Sequence, residues 1–170
     1  MTKTLILLGT SRSSGNTRIV ADFVREKLGA DLLDINDYAI SYYDYEHKNQ
    51  GDDFLPLMEK IVNNYEVVVF ATPVYWYSMS AVMKTFFDRL SDLLTIRKEL
   101  GRGLRGKKMG AISCGYDEET VEELEMPFRE SAKYLGMPYL GHVYAWVEAG
   151  GIAQAPKAQL LAFCEKVKTT

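Results

Sequence analysis

The sequence predicts an α/β protein in which helices cover both faces of a parallel β-sheet. Apolar patterns with the spacing of strands and of helices alternate along the whole chain, which is typical of such a sheet. The first pattern, at residues 5–8, is a continuous apolar run, as expected of a strand buried on both faces. A length of 170 residues, 47% of them hydrophobic, suits a single domain over residues 1–170.

The predicted elements follow one another in regular order. We expect strands at residues 5–8, 31–35, 66–72, 108–114 and 139–146, and helices at 53–63, 79–94, 119–135 and 156–167, after a first helix marked by apolar residues from Ile19 to Leu28. Pro127 is expected to kink or split its helix, and Pro156 to begin the last one. Five parallel strands with right-handed crossovers fit the flavodoxin-like order 2-1-3-4-5, which gives a three-layer sandwich.

The loop between the first strand and the first helix has the features of a phosphate-binding site. It lies at the N-terminus of a helix, where unpaired backbone N–H groups and the helix dipole favour an anion. Its hydroxyl and guanidinium donors come from Ser11, Arg12, Ser13, Ser14 and Thr17. A polar turn that only caps the helix is the alternative explanation of this segment.

The glycine pattern of this loop narrows the choice of phosphate ligand. A nucleoside triphosphatase loop carries Lys and then Ser or Thr after its second glycine, and no Lys follows Gly15. A dinucleotide fingerprint needs three glycines, whereas Gly9 is accompanied by Ser11 and Ser14. A terminal monophosphate held by hydroxyl groups fits this loop better.

A second loop is expected at the same edge of the sheet, after the third strand. In such sheets ligands bind beyond the C-terminal ends of the strands, beside the point where the strand order reverses. The loop is rich in aromatic and hydroxyl residues, which are Pro73, Val74, Tyr75, Trp76, Tyr77 and Ser78. They suit a planar heterocycle attached to the monophosphate, and a cap on the sheet or a subunit interface is the alternative for this cluster.

A third loop follows the fourth strand and contains Ser113, Cys114, Gly115 and Tyr116. Gly115 is expected to let the backbone approach a ligand closely. Tyr116 is expected either to cover the ring of that ligand or to close the turn.

The other polar motifs have structural explanations. Lys84 and Asp88 lie one helical turn apart and predict an ion pair, and Arg89 is expected to anchor its helix rather than to act in catalysis. His47 and His142 lie far apart in the sequence, near no Ser or Cys in a recognisable catalytic arrangement. We expect both histidines to be surface or helix-packing residues.

Composition and single residues exclude further classes of function. The net charge of −3 without a basic stripe argues against nucleic acid, and no segment approaches the ~20 apolar residues of a membrane span. Cys114 and Cys164 form no metal-ligand spacing, so we expect two reduced thiols in a cytoplasmic protein without a metal site. The first loop lacks the Cys of a low-molecular-weight tyrosine phosphatase, and Thr72 stands where a receiver domain carries Asp.

Two segments, together with the distance between them in the sequence, resemble those of a known protein family. Residues 9–17 and 72–81, with Lys84, Phe86, Asp88 and Arg89 after them, resemble the NADPH-dependent FMN reductase family of flavodoxin-like proteins, and the similarity extends over most of the chain. The resemblance implies that residues 73–78 and 113–116 border the isoalloxazine ring. It also implies that the FMN phosphate is surrounded by Ser11, Arg12, Ser13, Ser14, Asn16 and Thr17.

Within this family the chain is most similar to the branch that includes iron–sulfur flavoproteins, in which a cysteine cluster follows the second strand. Residues 40–53 of this chain contain several Tyr residues and no Cys. Because a cluster needs Cys ligands, no iron–sulfur cluster is expected. The Tyr-rich loop is expected instead to cover the flavin or a partner subunit.

The resemblance implies a flavin oxidoreductase that forms a homodimer or a dimer of dimers. NAD(P)H would reduce bound FMN and leave before a quinone, flavin, nitro or azo acceptor takes the electrons, which is a ping-pong mechanism. No catalytic side chain is expected, and Tyr75, Trp76 and Tyr116 are candidates for stacking on substrates. A flavodoxin-type FMN electron carrier without NAD(P)H activity of its own is the main alternative, and a flavin-free sensor is a third.

Overall fold

The central sheet has six strands in the computed structural model, which describes residues 3–118 and 122–170. The strands are β1 (Thr4–Leu8), β2 (Asp31–Asp34), β3 (Val67–Tyr75), β4 (Ser78–Met79), β5 (Lys108–Cys114) and β6 (Tyr139–Ala145). Five of them are parallel in the order β2-β1-β3-β5-β6, and β4 is antiparallel to β3. The predicted parallel sheet with strand order 2-1-3-4-5 is therefore confirmed.

Helices cover both faces of this sheet. They are α1 (Asn16–Leu28), α2 (Phe54–Asn64), α3 (Ala81–Arg89), α4 (Asp92–Thr95), α5 (Lys98–Gly103), α6 (Glu125–Leu135) and α7 (Gln154–Lys168). Because successive side chains of a strand point to opposite faces, β1 contributes Ile6 and Leu8 to the core under α1 and α7. Its Leu5 and Leu7 belong to the core under α2, α3 and α6. The two cores make the predicted three-layer sandwich.

The predicted helix over residues 79–94 is wrong in its bounds. Met79 belongs to β4, Ser80 caps α3 by accepting a hydrogen bond from the N–H of Met83, and α3 ends at Arg89. The backbone N–H groups of Leu90 and Ser91 donate to the carbonyl three residues earlier, so the chain tightens before α4 begins. The buried side chains of Arg89 and Asp92 form an ion pair across this break, and Arg89 also pairs with the distant Asp52.

Two other predicted boundaries also differ. The strand over residues 31–35 ends at Asp34, whose carboxylate accepts a hydrogen bond from the N–H of Asn36 and starts a short 3-10 helix. Pro127 does not kink α6, because it lies in the first turn, where a helix needs no intrahelical N–H donor. A 3-10 turn at Glu122–Leu124 precedes α6, and residues 119–121 of the predicted helix lie outside the described residues.

Two hairpins follow strands of the central sheet, and only the first of them adds a strand to it. The first joins β3 to β4 through Trp76 and Tyr77, which both have positive φ angles, of 48° and 62°. Large aromatic residues rarely adopt this conformation, so the turn is strained. The second hairpin pairs β7 (Val147–Glu148) with β8 (Gly151–Ile152) just after β6. Neither hairpin follows from the strand and helix periodicities of the sequence.

Candidate functional site

A cavity of about 210 Å³ lies beyond the C-terminal ends of β1, β3 and β5. This is the place where the strand order reverses and where open α/β sheets bind ligands. Three segments line the cavity, with Thr10, Arg12, Gly15, Asn16 and Thr17 from the first, Pro73, Val74 and Tyr75 from the second, and Cys114, Gly115 and Tyr116 from the third. The fold therefore brings the three predicted loops together in one site.

The first segment ends in an open helix N-terminus. Gly15 is the N-cap of α1 and provides no side-chain cap, and the first turn of α1 contains no acidic residue. The N–H groups of Asn16 and Thr17 donate to no acceptor among residues 3–118 and 122–170. Free N–H groups and an uncompensated helix dipole in a ligand-sized cavity are suited to an anion.

Arg12 adds a positive charge to this helix terminus. A side chain at Gly15 would place Cβ only 3.1 Å from Nε of Arg12 and 3.3 Å from its carbonyl oxygen. The same carbonyl accepts a hydrogen bond of 3.1 Å from the N–H of Gly15. Glycine at position 15 thus allows the Arg12 guanidinium to lie directly against the start of α1.

Two residues outside the loop fix its shape. Nδ2 of Asn36 donates to the Thr10 carbonyl at 2.7 Å and to Oγ of Ser13 at 3.2 Å. The buried hydroxyl of Ser80 donates to the Gly9 carbonyl at 2.7 Å. Neither role could be predicted from the sequence, because Asn36 and Ser80 become neighbours of the loop only in the folded sheet. The loop is therefore held in place before any ligand binds.

Aromatic side chains surround the other end of the cavity. Tyr75 at the end of β3 is 44% exposed, and Tyr116 after β5 is 93% exposed. Pro73 and Val74 form the wall between Tyr75 and the sheet. Large apolar rings that remain exposed around a cavity are suited to stacking on a planar ligand.

Gly115 lines the cavity and also makes room for a neighbouring side chain. A Cβ at this position would lie 1.8 Å from the hydroxyl oxygen of Tyr144, so glycine is required for the packing of Tyr144. The Tyr144 hydroxyl in turn donates to the Asp117 carbonyl at 2.8 Å. The packing role of Gly115 was not predicted from the sequence, and the close approach of a ligand to this residue stays a prediction.

Several predicted site residues do not line the cavity. Ser11, Ser13 and Ser14 of the first loop are exposed and are not part of the cavity lining. The same holds for Trp76, Tyr77 and Ser78 at the β3–β4 turn. Ser113 is buried, and its Oγ lies 2.7 Å from Nε2 of His142. Side chains alternate along β5, so that Cys114 reaches the cavity and Ser113 points to the opposite face.

Ser113 and His142 are neighbours in the folded protein, although the sequence shows no recognisable catalytic arrangement around either histidine. His142 is on β6 rather than on a helix, and burial lowers its pKa from 6.5 to about 4. A neutral imidazole next to a fully buried hydroxyl cannot be reached by a substrate, so the pair is structural rather than catalytic.

The two cysteines are buried thiols. Burial raises the pKa of Cys114 to about 11, against the opposing effect of a hydrogen bond with Thr17. Burial likewise raises the pKa of Cys164 to about 11. Both groups are protonated at neutral pH and are poor nucleophiles.

Arg89 anchors the Tyr-rich loop. Its guanidinium is fully buried and forms ion pairs with Asp52 at 2.5 Å and with Asp92 at 2.8 Å. It also donates to the Ser41 carbonyl at 3.0 Å. Nδ1 of His47 lies 3.0 Å from Oδ1 of Asp92, the carboxylate oxygen that Arg89 does not contact. The anchoring role predicted for Arg89 is confirmed, and the exposed pair of Lys84 and Asp88 forms as expected.

The described part of the chain lacks two other kinds of site. Within residues 3–118 and 122–170, no helix is both long enough and apolar enough to cross a membrane. The same residues contain no group of three or more His, Cys, Asp or Glu side chains that could hold a metal ion.

Comparisons with known proteins agree with this description. The model of the NADPH-dependent FMN reductase family matches residues 2–151. A proposed NAD(P)H-dependent FMN-containing oxidoreductase of Bacillus subtilis (strain 168), YwqN, is 28% identical in an alignment of 151 residues that covers 83% of each chain. The NADPH azoreductase of Bacillus sp. (strain OY1-2) is 28% identical over 96 residues, 56% of this chain and 54% of that protein. The solved structure of the Trp repressor binding protein from Bacillus subtilis has a TM-score of 0.73 at 23% identity and covers 99% of both chains.

The chain is a flavodoxin-like protein. It has the strand order and the three layers of that fold, with a cavity at the point where the strand order reverses. The match over residues 2–151 then shows that the chain belongs to the NADPH-dependent FMN reductase family, which consists of NAD(P)H-dependent flavin oxidoreductases. The family predicted from residues 9–17 and 72–81 is thereby confirmed. The expected similarity to the iron–sulfur branch stays a prediction.

Proposed function

We propose that the cavity binds FMN, with the phosphate at the start of α1 and the isoalloxazine ring between Tyr75 and Tyr116. The observation that carries the proposal is the open N-terminus of α1 in the same cavity as these aromatic rings. Its donors are the N–H groups of Asn16 and Thr17, the guanidinium of Arg12 and the Thr17 hydroxyl, which together suit a phosphate dianion. The hydroxyl groups of Ser11, Ser13 and Ser14 lie on the rim of this phosphate site.

The residues of the ring end position substrates and do not exchange protons with them. Bound FMN would supply the redox chemistry, which is acceptance of hydride from NAD(P)H and delivery of two electrons to an acceptor. Tyr75, Trp76 and Tyr116 would stack on the planar parts of both substrates. The two substrates would use the same stacking surface in turn, which is a ping-pong mechanism. Quinones, flavins, nitro compounds and azo compounds are acceptors of suitable shape, and the similarity to an NADPH azoreductase supports azo compounds.

The setting of the proposed enzyme follows from other features. We propose one domain over residues 1–170 and a cytoplasmic location, where thiols such as Cys114 and Cys164 remain reduced. A homodimer or dimer of dimers is supported by exposed apolar side chains of Leu94 and Tyr134 beside a groove between α4 and α6. No iron–sulfur cluster is proposed, because residues 40–53 contain no Cys.

Visible absorption of the purified protein tests the proposal. FMN is supplied, excess flavin is removed, and NADPH or NADH is added without oxygen. We expect retained FMN that is bleached by a reduced pyridine nucleotide and recovers its colour on addition of a quinone or azo dye. Retained FMN that stays oxidised would favour the electron carrier. A protein that retains no FMN would contradict the proposal.

A further inference from the structure

Tyr116 belongs to the ring end of the cavity, but its own side chain does little to hold it in place. The side chain lines the cavity and is almost fully exposed. An exposed side chain in a loop keeps a fixed place only if the backbone on either side of it is held. The position of the Tyr116 ring therefore depends on the groups that bind the neighbouring backbone.

Two hydrogen bonds to β6 hold the backbone on both sides of Tyr116. Before it, the N–H of Gly115 donates to the Ala145 carbonyl at 2.9 Å. After it, the hydroxyl of Tyr144 donates to the Asp117 carbonyl at 2.8 Å. The first bond continues the parallel pairing of β5 with β6, whereas the second depends on a single side chain. Tyr144 thus fixes the loop on the far side of Tyr116.

Tyr144 is itself packed firmly. It is buried, and its ring crosses Gly115 so closely that a Cβ there would lie 2.5 Å from Cζ of Tyr144. The ring of Trp146 packs beside it, with the ring centroids 6.2 Å apart. The Trp146 carbonyl accepts a hydrogen bond of 3.1 Å from the N–H of Ala153, which extends the pairing of β7 with β8 by one residue pair. The β7–β8 hairpin therefore keeps this aromatic pair in place.

We propose that Tyr144 is a positioning residue, whose hydroxyl group sets the place of the Tyr116 ring against the isoalloxazine ring of FMN. The inference rests on the proposed function, in which the flavin ring lies between Tyr75 and Tyr116. Tyr144 does not line the cavity, so it acts through Tyr116 and not by contact with the flavin. A loop that is already held in its binding conformation loses less conformational entropy when a ligand binds, and the ligand binds more tightly.

Riboflavin is the probe for this role, because it has the isoalloxazine ring and no phosphate. Its affinity is measured by flavin fluorescence in the natural protein and in Tyr144→Phe, which keeps the aromatic ring and removes the hydroxyl group. We expect riboflavin to bind about fivefold more weakly to the variant. FMN bound to the variant should also keep more of its fluorescence, because contact with an aromatic ring quenches flavin emission and Tyr116 is no longer held in place. Loss of stability alone would not change this emission.

Tyr65→Phe is the matched control. Tyr65 is also buried, and its hydroxyl donates a hydrogen bond of 2.9 Å to Asp31. It precedes β3 and lies at the opposite edge of the sheet from the cavity. Tyr65→Phe should therefore lower the thermal midpoint of the protein and leave riboflavin affinity and FMN fluorescence unchanged.

A double-mutant cycle with Tyr116→Ala shows whether Tyr144 acts through Tyr116. Tyr116→Ala alone should weaken riboflavin binding by about tenfold, because a stacked ring is lost. In that background Tyr144→Phe should weaken binding by less than about twofold, since there is no longer a ring to position. Tyr116 is exposed, so its replacement should not prevent folding, and its effect tests the inference even if Tyr144→Phe does not fold.

Three outcomes would overturn the inference. The first is the same loss of riboflavin affinity from Tyr144→Phe with and without Tyr116, the second is unchanged affinity in Tyr116→Ala, and the third is an equal loss in Tyr65→Phe. None of them bears on whether the natural protein retains FMN that a reduced pyridine nucleotide bleaches, which tests the proposed function. If the natural protein retains no FMN, the proposed function fails and the inference fails with it.

Discussion

The two ends of the cavity are built in different ways. The phosphate end is formed by backbone groups at the start of α1 and is fixed by the buried hydrogen bond from Ser80 to Gly9 and by Asn36. The ring end is formed by exposed aromatic side chains, and its β3–β4 turn holds Trp76 at 94% exposure in a strained conformation. A rigid anion site suits one permanent ligand, whereas open aromatic surfaces suit substrates of varied shape. The difference indicates that binding and substrate choice are controlled by separate parts of the protein.

Replacing Ser80 with Ala tests the rigidity of the phosphate end and should have the largest effect. The variant loses the cap of α3 and leaves the buried Gly9 carbonyl without its donor, which together should lower the free energy of unfolding by ~3 kcal/mol. Urea unfolding measures this change. Ser78→Ala is the matched control, because Ser78 is exposed, and equal losses in both variants would contradict the assigned role of Ser80.

The structure near the ring end should respond to acid through His142. Its pKa is about 4 in the folded protein and near 6.5 in the unfolded chain, so the unfolded chain binds a proton first as the pH falls. The contribution of neutral His142 to the free energy of unfolding is therefore fully present above pH 6.5. It is lost as the pH falls from 6.5 to 4, which lowers the free energy of unfolding by ~2 kcal/mol. Urea unfolding across this range measures the loss, and His142→Gln should remove that part of the pH dependence. If the pH dependence of the free energy of unfolding is unchanged in the variant, the titrating group is a residue other than His142.

Removing the charge at the phosphate end should affect binding without affecting folding. Arg12→Ala is expected to weaken FMN binding by about 30-fold, because a charge-assisted hydrogen bond to phosphate is lost. The thermal midpoint of the flavin-free protein should not change, since the Arg12 side chain is exposed. Fluorescence quenching of FMN measures the affinity, and Arg102→Ala on α5 is the control for loss of one surface charge. Equal FMN affinities of the two variants would show that the phosphate does not bind beside Arg12 at the start of α1.

Relieving the strained turn should separate stability from activity at the ring end. A turn with two positive φ angles favours Asn followed by Gly, so Trp76→Asn/Tyr77→Gly should raise the free energy of unfolding by ~1 kcal/mol. FMN affinity should stay the same, while turnover of an aromatic acceptor should fall by about threefold through lost stacking. Stopped-flow reoxidation with an azo dye measures this step. Unchanged turnover would show that the turn has no role in substrate contact.

The features that can be predicted from this sequence are those that depend on residues close together in the chain. The alternation of apolar patterns predicted the five parallel strands, and the loop before α1 was located from its hydroxyl residues and glycines alone. The break between α3 and α4 was not predictable, because Arg89 pairs with Asp52 from a distant loop. The same reason applies to Asn36 and Ser80, which support the first loop only after β2 and β3 have paired with β1. The need for glycine at position 115 depends on Tyr144 of a neighbouring strand.

The central claim is that the start of α1 holds the phosphate of FMN. Titrating the protein with FMN and with riboflavin, which has the same ring and no phosphate, tests it most directly. The account predicts that FMN binds about 100-fold more tightly than riboflavin, and that Arg12→Ala reduces this difference while leaving riboflavin affinity unchanged. Equal affinities for the two flavins in the natural protein would contradict it.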